Sequence, residues 1–241
     1  IYTHMYTLSL HDALPISCDG WVNHDSPASE YRMPFIKPLA RRTLLGAAAA
    51  SLALAAALPA ARAADLSRAV EIVEGKCFIC HGIEGESSSP VFPRLAGQHA
   101  GYVARQLADY KAGKRKNDTM QSMVTDLSAD DFRLLGMYFE SKPSLKHPVA
   151  DTELAQMGRF IYQRGNPYSG VAPCADCHGA AGHGTEKMPR LGGQHAQYVE
   201  NQLKAFSRRE RTNDNAVMHS VASKLTELEL KAVSSYVSGL Q

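Results

Sequence analysis

The chain has almost no cysteine outside two short clusters. Of its five cysteines in 241 residues, four form two Cys-x-x-Cys pairs and the fifth is Cys18. Exported proteins commonly use their cysteines in disulfides, and from Ala64 onward none is left over for one. The sequence therefore excludes a disulfide-stabilised scaffold and directs attention to the chemistry of the two pairs.

The chain also lacks a charge imbalance and any strand-like alternation. Lys and Arg number 26 against 24 Asp and Glu, a net charge of +2, and the balance stays near neutral from Ala64 onward. Such a balance gives no reason to expect nucleic acid or an anionic membrane as a partner. Because no segment alternates apolar and polar residues, we predict an all-α fold without a significant sheet.

The longest apolar run is too short to cross a bilayer comfortably. Leu44 to Leu58 is uncharged and apolar, whereas a membrane-spanning helix needs about 20 such residues. Basic residues precede the run, and a small-x-small tripeptide ending at Ala63 follows it. We interpret residues 33–63 as a signal peptide cleaved after Ala63, with a retained membrane anchor as the alternative.

The first 32 residues have no recognisable character. Residues 1–32 precede a plausible initiator, Met33, and resemble neither a signal peptide nor a domain. We interpret them as a non-native segment derived from an untranslated or adapter region, and Cys18 is set aside with them.

Each remaining cysteine pair is followed at once by a histidine. The two motifs are Cys77-Phe-Ile-Cys80-His81 and Cys174-Ala-Asp-Cys177-His178. Cys-x-x-Cys-His is the attachment signature of c-type haem, in which the cysteines form thioethers to the haem vinyl groups and the histidine binds the iron. We therefore predict two covalently bound c-type haems with His81 and His178 as iron ligands. A redox dithiol or a zinc site would leave both histidines unexplained.

A methionine follows each motif by about forty residues, Met120 in the first case and Met218 in the second. A thioether on the open face of the haem would complete a six-coordinate iron suited to electron transfer. Met123 competes in the first copy, but Met120 and Met218 each precede a matched helix start by eight residues. We predict these two as the distal metal ligands. His99 and His195 are alternative ligands, for which we expect local hydrogen bonds instead.

The two motifs belong to an internal repeat. Residues 93–103 match residues 189–199 at an offset of 96, both beginning Pro-Arg-Leu and continuing through Gly-Gln-His. Two copies with one motif each indicate duplicated domains and not a solenoid. We expect a first domain over 64–141, a linker over 142–150 and a second domain over 151–241.

Each domain is predicted to be helical throughout. Each is also predicted to fold poorly without its haem, because it is small for a self-sufficient core. We expect Asp65 and Asp151 to cap the first helices. Their apolar stripes are predicted to consist of Leu66, Ala69, Val70 and Val73 in the first domain and of Leu154, Met157 and Ile161 in the second. The last helices should begin at two capping-box patterns, Ser128-x-x-Asp131 and Thr226-x-x-Glu229.

Basic residues recur beside both motifs. Arg94 and Arg190 lie within the repeated Pro-Arg-Leu, where a guanidinium is either solvated or paired with a haem propionate. Basic runs over 111–116 and 208–211 precede the two methionines. Such runs are usually solvated faces, although they could steer an acidic redox partner.

At these residues the chain resembles class I c-type cytochromes, and as a pair it resembles diheme cytochromes c of the c4 type. The resemblance covers essentially all of residues 64–241. It implies that the carbonyl groups of Pro93 and Pro189 accept hydrogen bonds from the proximal histidines. It also implies that the first and last helices of a domain cross at Gly158 and Tyr162, with a departure at the matching positions of the first domain.

The resemblance further implies a periplasmic carrier, soluble or loosely membrane-associated, that passes electrons between respiratory-chain partners such as a bc1-type complex and a cytochrome oxidase. No small-molecule substrate site or acid–base pair is evident, so we expect an electron carrier without catalytic residues and not an enzyme. The alternatives are the cytochrome subunit of an oxidoreductase, for example a sulfur-compound dehydrogenase, and a diheme peroxidase. A peroxidase or a haem-based gas sensor would need an open iron position.

Overall fold

Helices make up nearly all regular structure in the computed structural model, which describes residues 65–241. These residues belong to a single unit, and the expected signal peptide at 33–63 and the segment 1–32 lie outside them. The described part contains only one isolated β-bridge, between Asn166 and Val171, and no sheet. The predicted all-α fold is therefore confirmed.

The helices divide into two similar sets, which we call the N-terminal half (residues 65–141) and the C-terminal half (residues 151–241). Residues 142–150 between them have no regular structure. The N-terminal half contains α1 (Ser67–Ile72), a π-helical turn (Val73–Cys77), α2 (Phe78–His81), α3 (Ala100–Lys111), α4 (Asp118–Val124) and α5 (Ala129–Glu140). The C-terminal half contains α6 (Thr152–Arg164), α7 (Ala175–His178), α8 (Ala196–Ser207), α9 (Val217–Ala222) and α10 (Glu227–Gly239).

Capping boxes open the last helix of each half. The Ser128 hydroxyl accepts from the Asp131 backbone N–H, and the Asp131 carboxylate accepts from the Ser128 N–H. Thr226 and Glu229 make the same reciprocal pair at α10. Both predicted boxes are confirmed. They could be predicted because a capping box depends only on residues within one helical turn, which the sequence displays directly.

The predicted caps of the first helices are half right. The Asp151 carboxylate accepts from the third residue of α6 and caps that helix. At α1 the N-cap is Leu66, which makes no side-chain capping bond, and Asp65 instead accepts from the backbone N–H of Ser67 at 2.9 Å. The expectation for Asp65 was therefore misplaced by one residue.

Most of the predicted apolar stripe residues of the first helices face the core, since Ala69, Val73 and Ile161 are buried, and the exceptions are Val70 and Met157. Val70 is 36% exposed and Met157 is 43% exposed, whereas the adjacent Ala69 and Gly158 are buried. One residue corresponds to a rotation of about 100° around a helix. Val70 and Met157 therefore lie at the edges of their stripes, and the prediction that they face the core was wrong.

Close helix contact in the C-terminal half depends on Gly158. A Cβ atom at this position would overlap the carbonyl oxygen of Ala232, so α6 and α10 could not approach as they do. Tyr162 is fully buried one turn later, as the resemblance implied for the crossing of the first and last helices. In the N-terminal half a Cβ at Gly136 of α5 would overlap the start of α3, so the tightest glycine contact there joins a different pair of helices.

The two halves enter their cysteine motifs by different routes. In the N-terminal half, α1 continues through the π-helical turn directly into Cys77. In the C-terminal half, α6 ends at Gly165, whose φ of +67° favours glycine, and residues 166–173 form a loop before Cys174. The repeat therefore preserves the motifs better than the segments that lead to them.

Repeat-matched polar side chains line the boundary between the two halves. Arg115 donates to the Tyr198 hydroxyl at 2.9 Å and to the Gln202 side-chain oxygen at 3.0 Å. Arg211, the counterpart of Arg115, donates across the same boundary to the Tyr102 hydroxyl and to the Gln106 side-chain oxygen, each at 3.0 Å. We call this set the inter-half network, and its members are Tyr102, Gln106, Arg115, Tyr198, Gln202 and Arg211. Within residues 65–241, no helix combines the length and apolarity that a membrane crossing requires.

Candidate functional site

Each half holds one histidine in the same arrangement. His81 ends α2 and His178 ends α7, and both rings are buried. The Nδ1 atoms lie 2.9 Å from the Pro93 carbonyl oxygen and 3.0 Å from the Pro189 carbonyl oxygen. A carbonyl can only accept, so each Nδ1 carries the proton and each Nε2 keeps a free lone pair. This is the tautomer that a metal-binding imidazole needs.

Burial favours the neutral form of four of the six reactive side chains of the two motifs, namely His81, His178, Cys77 and Cys174. It lowers the pKa of His81 and His178, although the bonds to the proline carbonyls partly oppose this. Burial also raises the pKa of the Cys77 and Cys174 thiols to about 11. An uncharged ring beside uncharged thiols suits an apolar macrocycle better than a hydrated ion.

None of the four motif cysteines forms a disulfide within residues 65–241. Cys77 is the last residue of the π-helical turn and Cys174 immediately precedes α7, so each motif occupies a single helical turn. In such a turn the histidine lies next to the second cysteine and one turn beyond the first. The motif thus offers two attachment points and one ligand on a short rigid segment.

The two predicted distal ligands lie in the first turns of short helices. Met120 lies in α4 and Met218 in α9, and their backbone N–H groups donate to Asn117 and Asp214 side chains three and four residues earlier. Both methionines are partly buried. Met120 packs against the same buried core as Cys77, which brings the predicted attachment and distal residues of that half to one cluster.

The other repeat-matched histidines are committed elsewhere. His99 lies 2.8 Å through Nε2 from the carbonyl oxygen of His183, and His195 lies 2.8 Å from that of Ser87. Both bonds cross between the halves, so the expectation of local hydrogen bonds was wrong. His219, beside Met218, donates through Nδ1 to a backbone carbonyl and accepts through Nε2 from an arginine.

Arg94 and Arg190 both lie at the boundary between the halves. Arg94 donates through Nη1 to the Gly193 carbonyl at 2.6 Å, and its Nε lies 3.3 Å from the Glu86 carboxylate. That Nε–H is buried but lacks hydrogen-bond geometry to any acceptor in residues 65–241. Burial lowers the pKa of both guanidinium groups, and Glu86 partly opposes this. Both cations are therefore incompletely compensated.

The sequence favours solvated faces for the two basic runs, but the structure shows that they are not solvated uniformly. Arg115 is only 7% exposed and Arg211 is partly buried, because both enter the inter-half network. Their guanidinium groups also lie over the rings of Tyr110 and Phe206, at 4.7 and 4.5 Å. The remaining lysines and arginines of these runs are exposed.

Sequence reasoning assigned no role to two buried glutamines of the repeated segment. Gln98 and Gln194 are 6% and 7% exposed, and each pairs with the backbone of the opposite half beside the proximal proline. The only available signal was their recurrence within Pro-Arg-Leu-x-Gly-Gln, at the offset of 96. Recurrence alone does not reveal a partner in the other copy.

These residues fit haem c. Each half offers two thiols on one helical turn, a neutral imidazole with a free Nε2, and a methionine on a separate short helix. The buried Arg94 Nε–H forms an ion pair with Glu86 at 3.3 Å but makes no hydrogen bond within the described residues, so it retains the capacity to donate to a further carboxylate. A macrocycle with propionate groups matches this donor set.

Comparison with known proteins supports the conclusion that the residues fit haem c. Residues 66–161 and 162–241 match the family model for cytochrome c. Cytochrome c4 of Thiocapsa roseopersicina is 42% identical over 171 residues, covering 69% of this chain and 88% of the relative. The crystal structure of reduced cytochrome c4 from Pseudomonas stutzeri matches with a TM-score of 0.70 at 37% identity, covering 74% of this chain and 100% of that one. The chain therefore belongs to the cytochrome c family, and its two tandem domains are of the diheme cytochrome c4 type.

It follows that the chain carries two covalently bound c-type haems with iron and transfers electrons. It is a carrier and not an enzyme. The zinc and dithiol interpretations of the cysteine pairs are thereby set aside.

Two further relatives are connected with sulfur chemistry. A protein of Thiomonas intermedia named thiosulfate dehydrogenase electron acceptor is 35% identical over 167 residues, covering 67% of this chain and 77% of the relative. The structure of thiosulfate dehydrogenase from Marichromatium purpuratum matches with a TM-score of 0.65 at 26% identity, covering 72% of this chain and 40% of that one.

Proposed function

We propose that this chain is a periplasmic carrier that moves electrons between respiratory-chain partners and towards a terminal oxidase. The observation that carries the proposal is the paired histidine geometry, in which each Nδ1 is committed to a proline carbonyl and each Nε2 is free. The bound haem supplies one-electron exchange between iron(III) and iron(II). Export would follow from the signal peptide at 33–63, cleaved after Ala63.

His81 with Met120, and His178 with Met218, would hold the two irons. Within α4 the choice of Met120 is supported by its packing against the core, whereas Met123 is 38% exposed. The thiols of the two motifs would anchor each macrocycle through thioethers. Histidine and methionine together would close each iron to external ligands, which favours electron transfer over ligand chemistry.

Residues around the ligands would tune the two sites. Pro93 and Pro189 would fix the ring orientation of the histidines and raise their basicity through the Nδ1 hydrogen bonds. Arg94 and Arg190 would pair with haem propionates, which is supported by their incomplete charge compensation and by the buried Arg94 N–H without an acceptor in residues 65–241.

Each haem would belong to one domain, with boundaries at 64–141 and 151–241 and a linker over 142–150. The helix start capped by Asp151 supports the second boundary. The Glu86 carboxylate accepts from the backbone N–H of Leu145 at 2.9 Å and lies 3.0 Å from His147 Nε2, which ties the linker to the first domain.

The visible absorption spectrum of the exported, dithionite-reduced protein tests this proposal, recorded before and after addition of carbon monoxide. We expect two haems per chain and no change with carbon monoxide, because both irons are closed by histidine and methionine. A shifted spectrum would reveal an accessible iron and contradict the proposed ligand set.

A second candidate is the electron-accepting partner of a sulfur-compound dehydrogenase, favoured by the similarity to the Thiomonas intermedia protein and the Marichromatium purpuratum enzyme. Rapid mixing of the oxidised protein with thiosulfate and a thiosulfate dehydrogenase distinguishes the two. Reduction faster than by a bc1-type complex would support this candidate, and no reduction would eliminate it.

A further inference from the structure

In each half, a glutamine side chain forms hydrogen bonds with the backbone of the other half beside the proximal proline. Gln194 accepts through Oε1 from the Arg94 N–H at 2.9 Å and donates through Nε2 to the Arg94 carbonyl at 2.9 Å. The same Oε1 accepts from the backbone N–H of His195 at 3.0 Å. Two N–H donors at the oxygen and one carbonyl at the nitrogen fix the orientation of this amide.

The Arg94 N–H and the Pro93 carbonyl belong to one peptide group. A single planar unit therefore accepts from His81 at one end and donates to Gln194 at the other. Successive hydrogen bonds through such a unit polarise one another, so an acceptor on the N–H makes the carbonyl oxygen a stronger acceptor. Gln194 is thus connected to the His81 ring by two hydrogen bonds and one peptide.

The same chain of bonds runs in the opposite direction. Gln98 accepts through Oε1 from the Arg190 N–H at 2.8 Å and donates to the Arg190 carbonyl at 3.0 Å. The Pro189 carbonyl of that peptide accepts from His178 at 3.0 Å. Both glutamines are buried, so water competes little for either bond.

We propose that Gln98 and Gln194 are positioning residues that set the ligand strength of the proximal histidine in the opposite half. The inference rests on the proposed binding of iron by His81 and His178. Each glutamine strengthens the hydrogen bond between the proline carbonyl and the histidine Nδ1–H. A more strongly bonded imidazole is a better donor to iron, stabilises iron(III) and lowers the reduction potential of its haem. Each half thus tunes the haem of the other.

The test replaces one glutamine at a time in the haem-loaded full chain. In Gln194→Leu we expect the His81 Nδ1 resonance to move in the nitrogen NMR spectrum of the reduced protein and the N-terminal haem to become easier to reduce. At a fixed potential its ferrous-to-ferric ratio should rise about threefold, where tenfold corresponds to about 59 mV for a one-electron couple. His178 and the C-terminal haem should stay unchanged. Gln98→Leu should give the mirror result.

Gln202→Leu is the matched control, because this glutamine also lies at the boundary but bonds to Arg115 and Arg211 and not to a proline-linked peptide. Gln202→Leu should not shift the reduction potential of one haem relative to the other. Gln194→Glu replaces the amide oxygen with a carboxylate oxygen, which is a stronger acceptor. It should shift the reduction potential of the N-terminal haem in the opposite direction from Gln194→Leu.

Three results would overturn the inference: an unmoved His81 resonance, equal shifts of both haems in Gln194→Leu, or a control that shifts one haem as much as the tested variants. Failure of the proposed ligation would be visible separately, since the unsubstituted protein would then bind carbon monoxide or lack the histidine signals of a closed iron.

Discussion

Among the single residues, the two methionines have the most direct chemical consequence. Met120 packs against the same buried core as Cys77, and Met123 is exposed three residues later on the same helix. In the C-terminal half the position that matches Met123 is Val221, so that half offers no second thioether there. The repeat and the packing therefore favour the same residue in each half.

We predict that Met120→Ala opens one iron to external ligands while both haems remain covalently attached, because the thioethers do not depend on the distal ligand. Carbon monoxide binding to the reduced variant, with haem content measured under denaturing conditions, checks this. Met218→Ala should behave alike. Met123→Ala is the control and should remain closed, and loss of haem from Met120→Ala would count against the assignment.

The sequence allowed the cysteine and histidine sites to be predicted because the motif is contiguous, and the methionines because the repeat aligned them. It did not reveal the role of Gln98 and Gln194. Their partners lie 92 and 100 residues away, and no local pattern specifies which backbone a buried amide will reach. Arg115 was misjudged for the same reason, since a charge in a basic run looks solvated until its distant acceptors are known.

At the scale of helices, the fold depends on a few contacts that tolerate no extra atom. Gly158 lets α6 approach the Ala232 backbone of α10, and this contact holds the first and last helices of the C-terminal half together. Gly75 offers a useful contrast, because a Cβ there would meet nothing within 4 Å. The two glycines therefore separate the effect of crowding from that of glycine's backbone freedom.

We predict that Gly158→Ala lowers the free energy of unfolding by about 2 kcal/mol or more, because overpacking a tight contact forces the helices apart. Denaturant unfolding of the haem-loaded protein measures this. Gly75→Ala should be neutral or slightly stabilising, since alanine reduces the entropy of the unfolded chain. Equal effects of the two substitutions would show that crowding at α6 is unimportant.

Helix starts were more predictable than helix ends and irregular turns. The capping boxes at Ser128 and Thr226 depend on four consecutive residues, so the sequence displayed them completely. The π-helical turn before Cys77 had no such signal, because it arises where α1 must meet the motif without the loop that the C-terminal half has at 166–173. Such an adjustment depends on the packing of the whole half.

For the whole molecule, the inter-half network is a reciprocal set of polar contacts between the halves. It places two guanidinium groups, of Arg115 and Arg211, against neutral hydroxyl and amide acceptors of the opposite half. Burial raises the pKa of Tyr198, but the two arginine charges outweigh it and the net shift is downward. Each arginine also donates to a glutamine of its own half, Arg115 to Gln106 and Arg211 to Gln202, so the docked halves supply a part of its hydrogen bonds.

We predict that Tyr198→Phe lowers the free energy of unfolding by about 2 kcal/mol, because it removes a hydrogen bond to a buried charged group. Tyr102→Phe should cost about as much, since it removes the matching bond from Arg211. Thermal unfolding of the haem-loaded protein, followed by absorbance, measures both. Tyr168→Phe is the control, because Tyr168 is almost completely exposed, and similar losses in all three variants would refute the role of the network.

The reciprocity of the inter-half network bears on the origin of the chain. Arg115 reaches Tyr198 while Arg211 reaches Tyr102, so one patch meets its own copy in the opposite sense. A self-complementary patch of this kind is what a twofold-symmetric homodimer uses. The chain thus has, within one polypeptide, an interface with the reciprocity of a twofold-symmetric dimer. Fusion replaces an encounter that depends on concentration with a permanent pairing, and it leaves each copy free to diverge from the other.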